Sequence, residues 1–178
     1  MDYKPKNLRV RFIIAIVFTV AYVAGVTFGI LGGELNLPSS ENNDDLLNLY
    51  NSETYYRAIE LMKNNLIVCT KILLLSVLSL GFISLILVFF NGYTLGIAIG
   101  DLLSKSSLHT VLSLTLPHSG EIIGLIMCAY IGTILSLRIV FKKKYHSLRT
   151  ILIITSVSLL LIISAAFAES YISMTYNK

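Results

Sequence analysis

The chain has 178 residues, of which 55% are hydrophobic and 13% charged, with 14 Lys and Arg against 10 Asp and Glu. Its mean hydropathy of +0.77 makes lipid, rather than water, the solvent that suits most of its side chains. At this length one compact membrane domain over residues 1–178 is expected, with no separate soluble catalytic domain.

Four apolar runs, uncharged but for Lys71 near the start of the second, carry that reading: Phe12–Leu31, Leu66–Phe90, Ile122–Leu137 and Ile151–Phe167. A hydrocarbon slab of ~30 Å needs about 20 such residues per helix. The first run comes after a basic start, as a signal peptide would, but it is longer than a signal core and no small-x-small cleavage site succeeds Leu31. It is read as a retained helix.

After it, Pro38-Ser39-Ser40 breaks the chain, and Asp44 or Asp45 is a candidate cap for the next helix. Tyr55, Ala58, Ile59 and Met62 recur at helical spacing and mark an amphipathic helix leading into the second span. The segment 34–65 holds six acidic residues against Arg57 and Lys63, so it has no cytoplasmic bias and is read as an outer loop.

Basic residues cluster elsewhere. Lys4, Lys6, Arg9 and Arg11 precede the first helix, and Arg138, Lys142, Lys143, Lys144 and Arg149 sit around the last connection. Short loops this basic stay in the cytoplasm, which explains the positive balance without nucleic acid. Parity then requires one crossing within 91–119. The expected fold is all-α, a polytopic membrane helical bundle of about five transmembrane helices with a broken or re-entrant third element. The helices are placed at about 12–31, 66–90, 92–116 (broken), 120–141 and 148–167, with the N-terminus cytoplasmic in a bacterial plasma membrane.

Small residues recur every fourth position: Gly25, Gly29 and Gly33; Gly92, Gly96 and Gly100; and Gly120, Gly124, Cys128, Gly132 and Ser136. Such stripes let helix backbones approach closely where lipid gives no hydrophobic drive for association. Cys69 and Cys128 are read as buried packing residues, with no disulfide, because they fall at different depths of different runs.

Ionisable groups at membrane depth are costly, so they pair or line a wet cavity. Asp101, Lys105 and His109 share a helical face, and the first two suit an i,i+4 ion pair. His118 and Glu121 are three apart at the start of the fourth long helix. Two ligands fall short of the three of an open metal site, and His109, Asp101 or Glu169 would have to complete the set. With no HExxH, paired CxxC, GxSxG or P-loop pattern, no catalytic residue, metal or cofactor is expected.

Phe89-Phe90-Asn91-Gly92-Tyr93-Thr94-Leu95-Gly96, Leu116-Pro117-His118-Ser119-Gly120-Glu121 and the closing stretch through Glu169 and Tyr171 resemble three elements of the stage II sporulation protein M family. Ser119 stands where that family has glycine, and Glu121 comes one residue earlier after the histidine than the family glutamate. The resemblance singles out Asn91, His118, Glu121 and Glu169. It implies a non-enzymatic membrane subunit of a multi-protein complex, in one of two settings. One is a circular bacteriocin system for maturation, secretion or self-protection, with an ABC ATPase subunit on the cytoplasmic face and a peptide cargo. The other is a sporulation engulfment scaffold. Expected partners are the lipid bilayer, other membrane subunits or further copies of the chain. An intramembrane metal-dependent enzyme using His118 and Glu121 is the alternative from another class.

Loop charge predicts the topology. Single cysteines replacing Lys4, Asp45 and Lys143, in a background lacking Cys69 and Cys128, should label from inside, outside and inside. Labelling of the Asp45 site only after permeabilisation would overturn the scheme.

Overall fold

The structure is a computed structural model and describes residues 5–32, 54–116 and 118–175. Among the described residues six helices are arranged in chain order: α1 (Pro5–Gly32), α2 (Thr54–Leu78), α3 (Phe82–Lys105), α4 (Leu108–Thr115), α5 (His118–Phe141) and α6 (Leu148–Thr175). No strand occurs among the described residues. All but α4 are long and apolar enough to cross a membrane, which makes five spans. Gly33 and the candidate caps Asp44 and Asp45 lie outside the described residues, as does Pro38.

The bundle is organised around α5. Half of its apolar window is buried (50%), against 22–28% for the other four spans. α5 packs chiefly on α2 and α6, while α1 packs chiefly on α3. The core they share contains Phe18, Tyr22, Ile72, Val88, Leu125 and Ile162. Large apolar side chains elsewhere, such as Phe12, Leu74, Phe82 and Leu160, point outward, as a bundle solvated by lipid requires.

The glycine stripes are contacts within this chain. A Cβ on Gly25 would run into the Phe89 carbonyl, and one on Gly92 into the Tyr22 carbonyl. One on Gly29 would sit 2.8 Å from the Gly96 Cα. The α1 and α3 backbones therefore touch along four glycines. The seam relaxes at Gly100, where an added Cβ meets the Ile30 carbonyl at an ordinary 3.4 Å. On α5 the stripe serves two neighbours: Gly124 faces Ser158 and Ile162 of α6, and Gly132 faces Leu73 and Ser76 of α2.

Buried serines fasten the same contacts. Ser76 Oγ donates to the Ala129 carbonyl (2.9 Å), Ser136 Oγ to that of Val77 (2.6 Å) and Ser158 Oγ to that of Gly124 (2.7 Å). Without water in the membrane interior, a hydroxyl takes a backbone carbonyl as its partner, and here that carbonyl belongs to the adjoining helix.

Four sequence expectations are corrected. The helix expected over 66–90 is split: α2 ends at Leu78, and the chain turns through Ser79–Gly81 into α3. Leu80 and Gly81 both take left-handed backbone angles (φ 56° and 89°), and Gly81 lies against the Thr133 side chain, where no Cβ would fit. The turn carries no charge and only one glycine, and its single polar residue, Ser79, accepts the Ile83 amide, so hydropathy passes straight through it. In consequence Phe89–Gly92 lies inside α3 rather than at a loop.

The third element is broken as expected, but at Ser106-Ser107. Ser106 is extended, and the Ser107 hydroxyl accepts the Thr110 amide to cap α4. With 8 residues, α4 is about 12 Å long, too short to span. The last helix runs to Thr175 rather than stopping near 167, which carries Glu169 into α6. Residues 54–65, expected within an outer loop, already belong to α2.

Cys69 and Cys128 are buried, as expected, but joined in a disulfide with a Cα separation of 6.1 Å. The expectation of different depths fails because α2 begins well before its apolar run, which brings Cys69 level with the middle of α5.

At one end of the bundle, Arg11, Tyr130 and His146 form a chain. Arg11 can only donate, so Nδ1 of His146 accepts from it at 3.3 Å, and the Nε2 proton goes to the Tyr130 oxygen at 2.6 Å. Burial, and then the Arg11 charge, hold His146 below the usual histidine range. A depressed histidine contributes stability above the unfolded value of about 6.5 and loses it as pH falls through the folded value.

Thermal unfolding in detergent tests both the seam and the histidine chain. Gly29→Ala or Gly96→Ala should lower stability by about 1–3 kcal/mol, the usual cost of overpacking. Gly100→Ala and the lipid-facing Leu160→Ala should be mild, and equal losses at all four positions would refute a tight seam. The unfolding temperature should fall between about pH 7 and pH 5, with a shallower slope in His146→Gln. An unchanged slope would dismiss the histidine chain.

Candidate polar site between α2, α3, α5 and α6

His118 and Glu121 lie in the first turn of α5, three residues apart and hence on one face. α6 packs tightly on α5 one turn further along, where a Cβ on Gly124 would come 3.0 Å from the Ser158 carbonyl; at Gly120 itself an added Cβ would meet the Ala165 Cβ at 3.4 Å and the Leu161 carbonyl at 3.5 Å, both ordinary contacts. One helical turn beyond Ala165, Glu169 reaches the same place. His118 Nδ1 is 3.4 Å from Glu121 Oε2 and 3.6 Å from Glu169 Oε2. Both carboxylate side chains are largely buried, with 13% and 18% of their surface exposed.

The trio borders a cavity of about 290 Å³ whose other walls include Asn64 and Asn65 of α2 and Asn91 and Thr94 of α3. Asn91 lies nine residues into α3, about 14 Å along it, so the cavity reaches from the bundle end toward mid-depth. Arg57, near the start of α2, adds a positive field at Glu169. Tyr22 of α1 is buried in the electrostatic reach of Glu121, and its phenol oxygen has no hydrogen-bond partner among the described residues.

Of the sequence candidates, the structure gathers His118, Glu121, Glu169 and Asn91. It leaves the others out. Asp101 and Lys105 form the expected ion pair at 2.6 Å, but both are exposed in the last turn of α3. Such a pair contributes little. His109 is exposed on α4. Glu169 therefore completes the three-residue set, and Asp101 and His109 do not. All three ligand atoms lie within 4.8 Å of one another.

Sequence reading missed Asn64, Asn65, Arg57 and Tyr22. The two asparagines sit at the edge of an apolar run and read as the end of a loop. The signal that could have found them is their place in the continuous helix that the Tyr55–Met62 periodicity begins.

A larger cavity of about 640 Å³ lies at the opposite, basic end, between α1 and α5. Its walls, among them Leu8, Phe12, Ala15 and Ile126, are mostly apolar, and its polar residues are Arg9 and the Arg11–His146–Tyr130 chain. The polar trio and its asparagines are the better candidate for chemistry, because convergent polar groups give a pocket its specificity.

No match was found among curated proteins or among solved structures. A family profile described as Stage II sporulation protein M matches residues 10–174, which takes in all five spans but for their outermost residues and all of the polar site. With that match over nearly its whole length, the chain belongs to the Stage II sporulation protein M family of membrane proteins.

Proposed function

We propose that this protein is a non-enzymatic membrane subunit of a larger complex, working with a separate ABC-type ATPase in the maturation or secretion of a bacteriocin or in self-protection against it. The observation that carries this reading is the segregation of the bundle's two ends. One end presents Lys142, Lys143 and Lys144, all exposed, beside Arg9, Arg11 and Arg149. The opposite end opens the polar cavity of His118, Glu121 and Asn91. A basic end is retained in the cytoplasm of a bacterial plasma membrane, where nucleotide is available, and a polar cavity on the other side suits a peptide cargo. The sequence carries no nucleotide-binding motif, so ATP-driven work needs another subunit. A scaffold in sporulation engulfment is the second setting that the family's description favours.

In this arrangement the ATPase docks on the basic end. Replacing Lys142, Lys143 and Lys144 together by Gln should abolish co-purification with an ATPase encoded next to this gene while membrane insertion is retained. Unchanged co-purification of that variant would reduce the basic loop to a topology signal that attracts anionic lipid.

A further inference from the structure

We propose that His118, Glu121 and Glu169 bind a divalent transition cation, zinc foremost, with an open coordination position facing the cavity bordered by Asn91. The inference does not rest on the subunit reading above, since metal content is read on the chain alone.

The distances favour a shared ion over direct pairing. Charge-assisted N–H···O bonds run about 2.7–2.9 Å. The His118 nitrogen stands 3.4 and 3.6 Å from its two carboxylate oxygens. Two ligands bound at ~2.1 Å on a tetrahedral zinc ion are ~3.4 Å apart, so both separations match edges of a coordination shell. One imidazole and two carboxylates make a donor set suited to zinc, and three protein ligands leave a fourth position for water or another oxygen.

Charge and hydrogen bonding point the same way. Two largely buried carboxylates share one imidazole, and Arg57, the weakest of the influences on Glu169, offsets only a small part of their charge. A dication balances the rest, where ionisable groups at membrane depth require a partner. The buried Tyr22 hydroxyl, in the reach of Glu121, has no hydrogen-bond partner among the described residues. The ligands stand on two helices held at fixed spacing by the close contact at Gly124 and by the Ser158–Gly124 bond, so the geometry is set before any ion arrives.

The test uses the full chain, purified in detergent with an affinity tag lacking histidine. Elemental analysis should find about one zinc per chain, as a three-ligand site predicts. Glu169→Gln and His118→Ala should each remove at least about nine-tenths of it, while His109→Ala and Asp101→Asn keep it. Metal-free protein titrated with cobalt(II) should develop the visible absorption of a low-coordinate site. Wild-type protein that takes up neither zinc nor micromolar cobalt would overturn the proposal, as would undiminished zinc in Glu169→Gln. Should those variants fail to fold, His118→Cys provides a separate arm: it should keep the metal and add a thiolate-to-cobalt band in the near ultraviolet. A folded His118→Cys protein that lacks the band places the ion elsewhere and refutes the site.

Discussion

In a bilayer interior every backbone amide and carbonyl must be satisfied by the protein, and no hydrophobic drive brings helices together. The forces left are close van der Waals contact and the hydrogen bond from a small side chain to a neighbouring helix. The bundle depends on these at each main interface. Gly25, Gly29, Gly92 and Gly96 let α1 and α3 touch, and Gly124 and Gly132 let α6 and α2 settle side by side on α5. Ser76, Ser136 and Ser158 then bond across the contacts made possible. Larger residues at these places would separate the helices and leave the hydroxyls without partners.

The polar site is a product of the same packing. Its ligands lie at the point where α6 runs past the start of α5, and Gly124, one turn along α5, permits that approach. Asn91 is on the α3 surface one residue from Gly92, so the seam that draws α1 against α3 also fixes where Asn91 lies. Scaffold and site are thus coupled: a change in the spacing of α5 and α6 would alter the His118–Glu169 separation. The disulfide between Cys69 and Cys128 joins α2 to α5, the two helices that bring Asn64 and Asn65 toward Glu121.

The two ends of the molecule differ in kind. At the basic end, Arg11 donates to His146 and His146 to Tyr130, while the neighbouring lysines face solvent. At the other end, carboxylates outnumber their immediate cationic neighbours and turn inward to the cavity. An exposed cluster of one sign is solvated and screened. A buried cluster of one sign must find counter-charge within the protein or from a ligand.

The sequence was enough to establish an all-helical bundle of five spans, because hydropathy and length are dictated by the thickness of the solvent the chain must cross. It also marked His118 and Glu121 by their spacing of three at a helix start, and the family resemblance singled out these two together with Glu169. The turn at Ser79–Gly81 was not legible, because reversal there takes two left-handed residues and a single serine, with no charge or proline to interrupt the apolar run. Nor was the partner of His118. Asp101, His109 and Glu169 are equally eligible along the chain, and only the crossing of α6 over the start of α5 decides among them. The disulfide was misjudged for a similar reason: the relative depth of Cys69 and Cys128 depends on where α2 starts, and its amphipathic first turns carry no membrane signal. Composition records which solvent each helix faces. Which residues of different helices meet depends on register and crossing, and those are set by the contacts of glycines and serines in three dimensions.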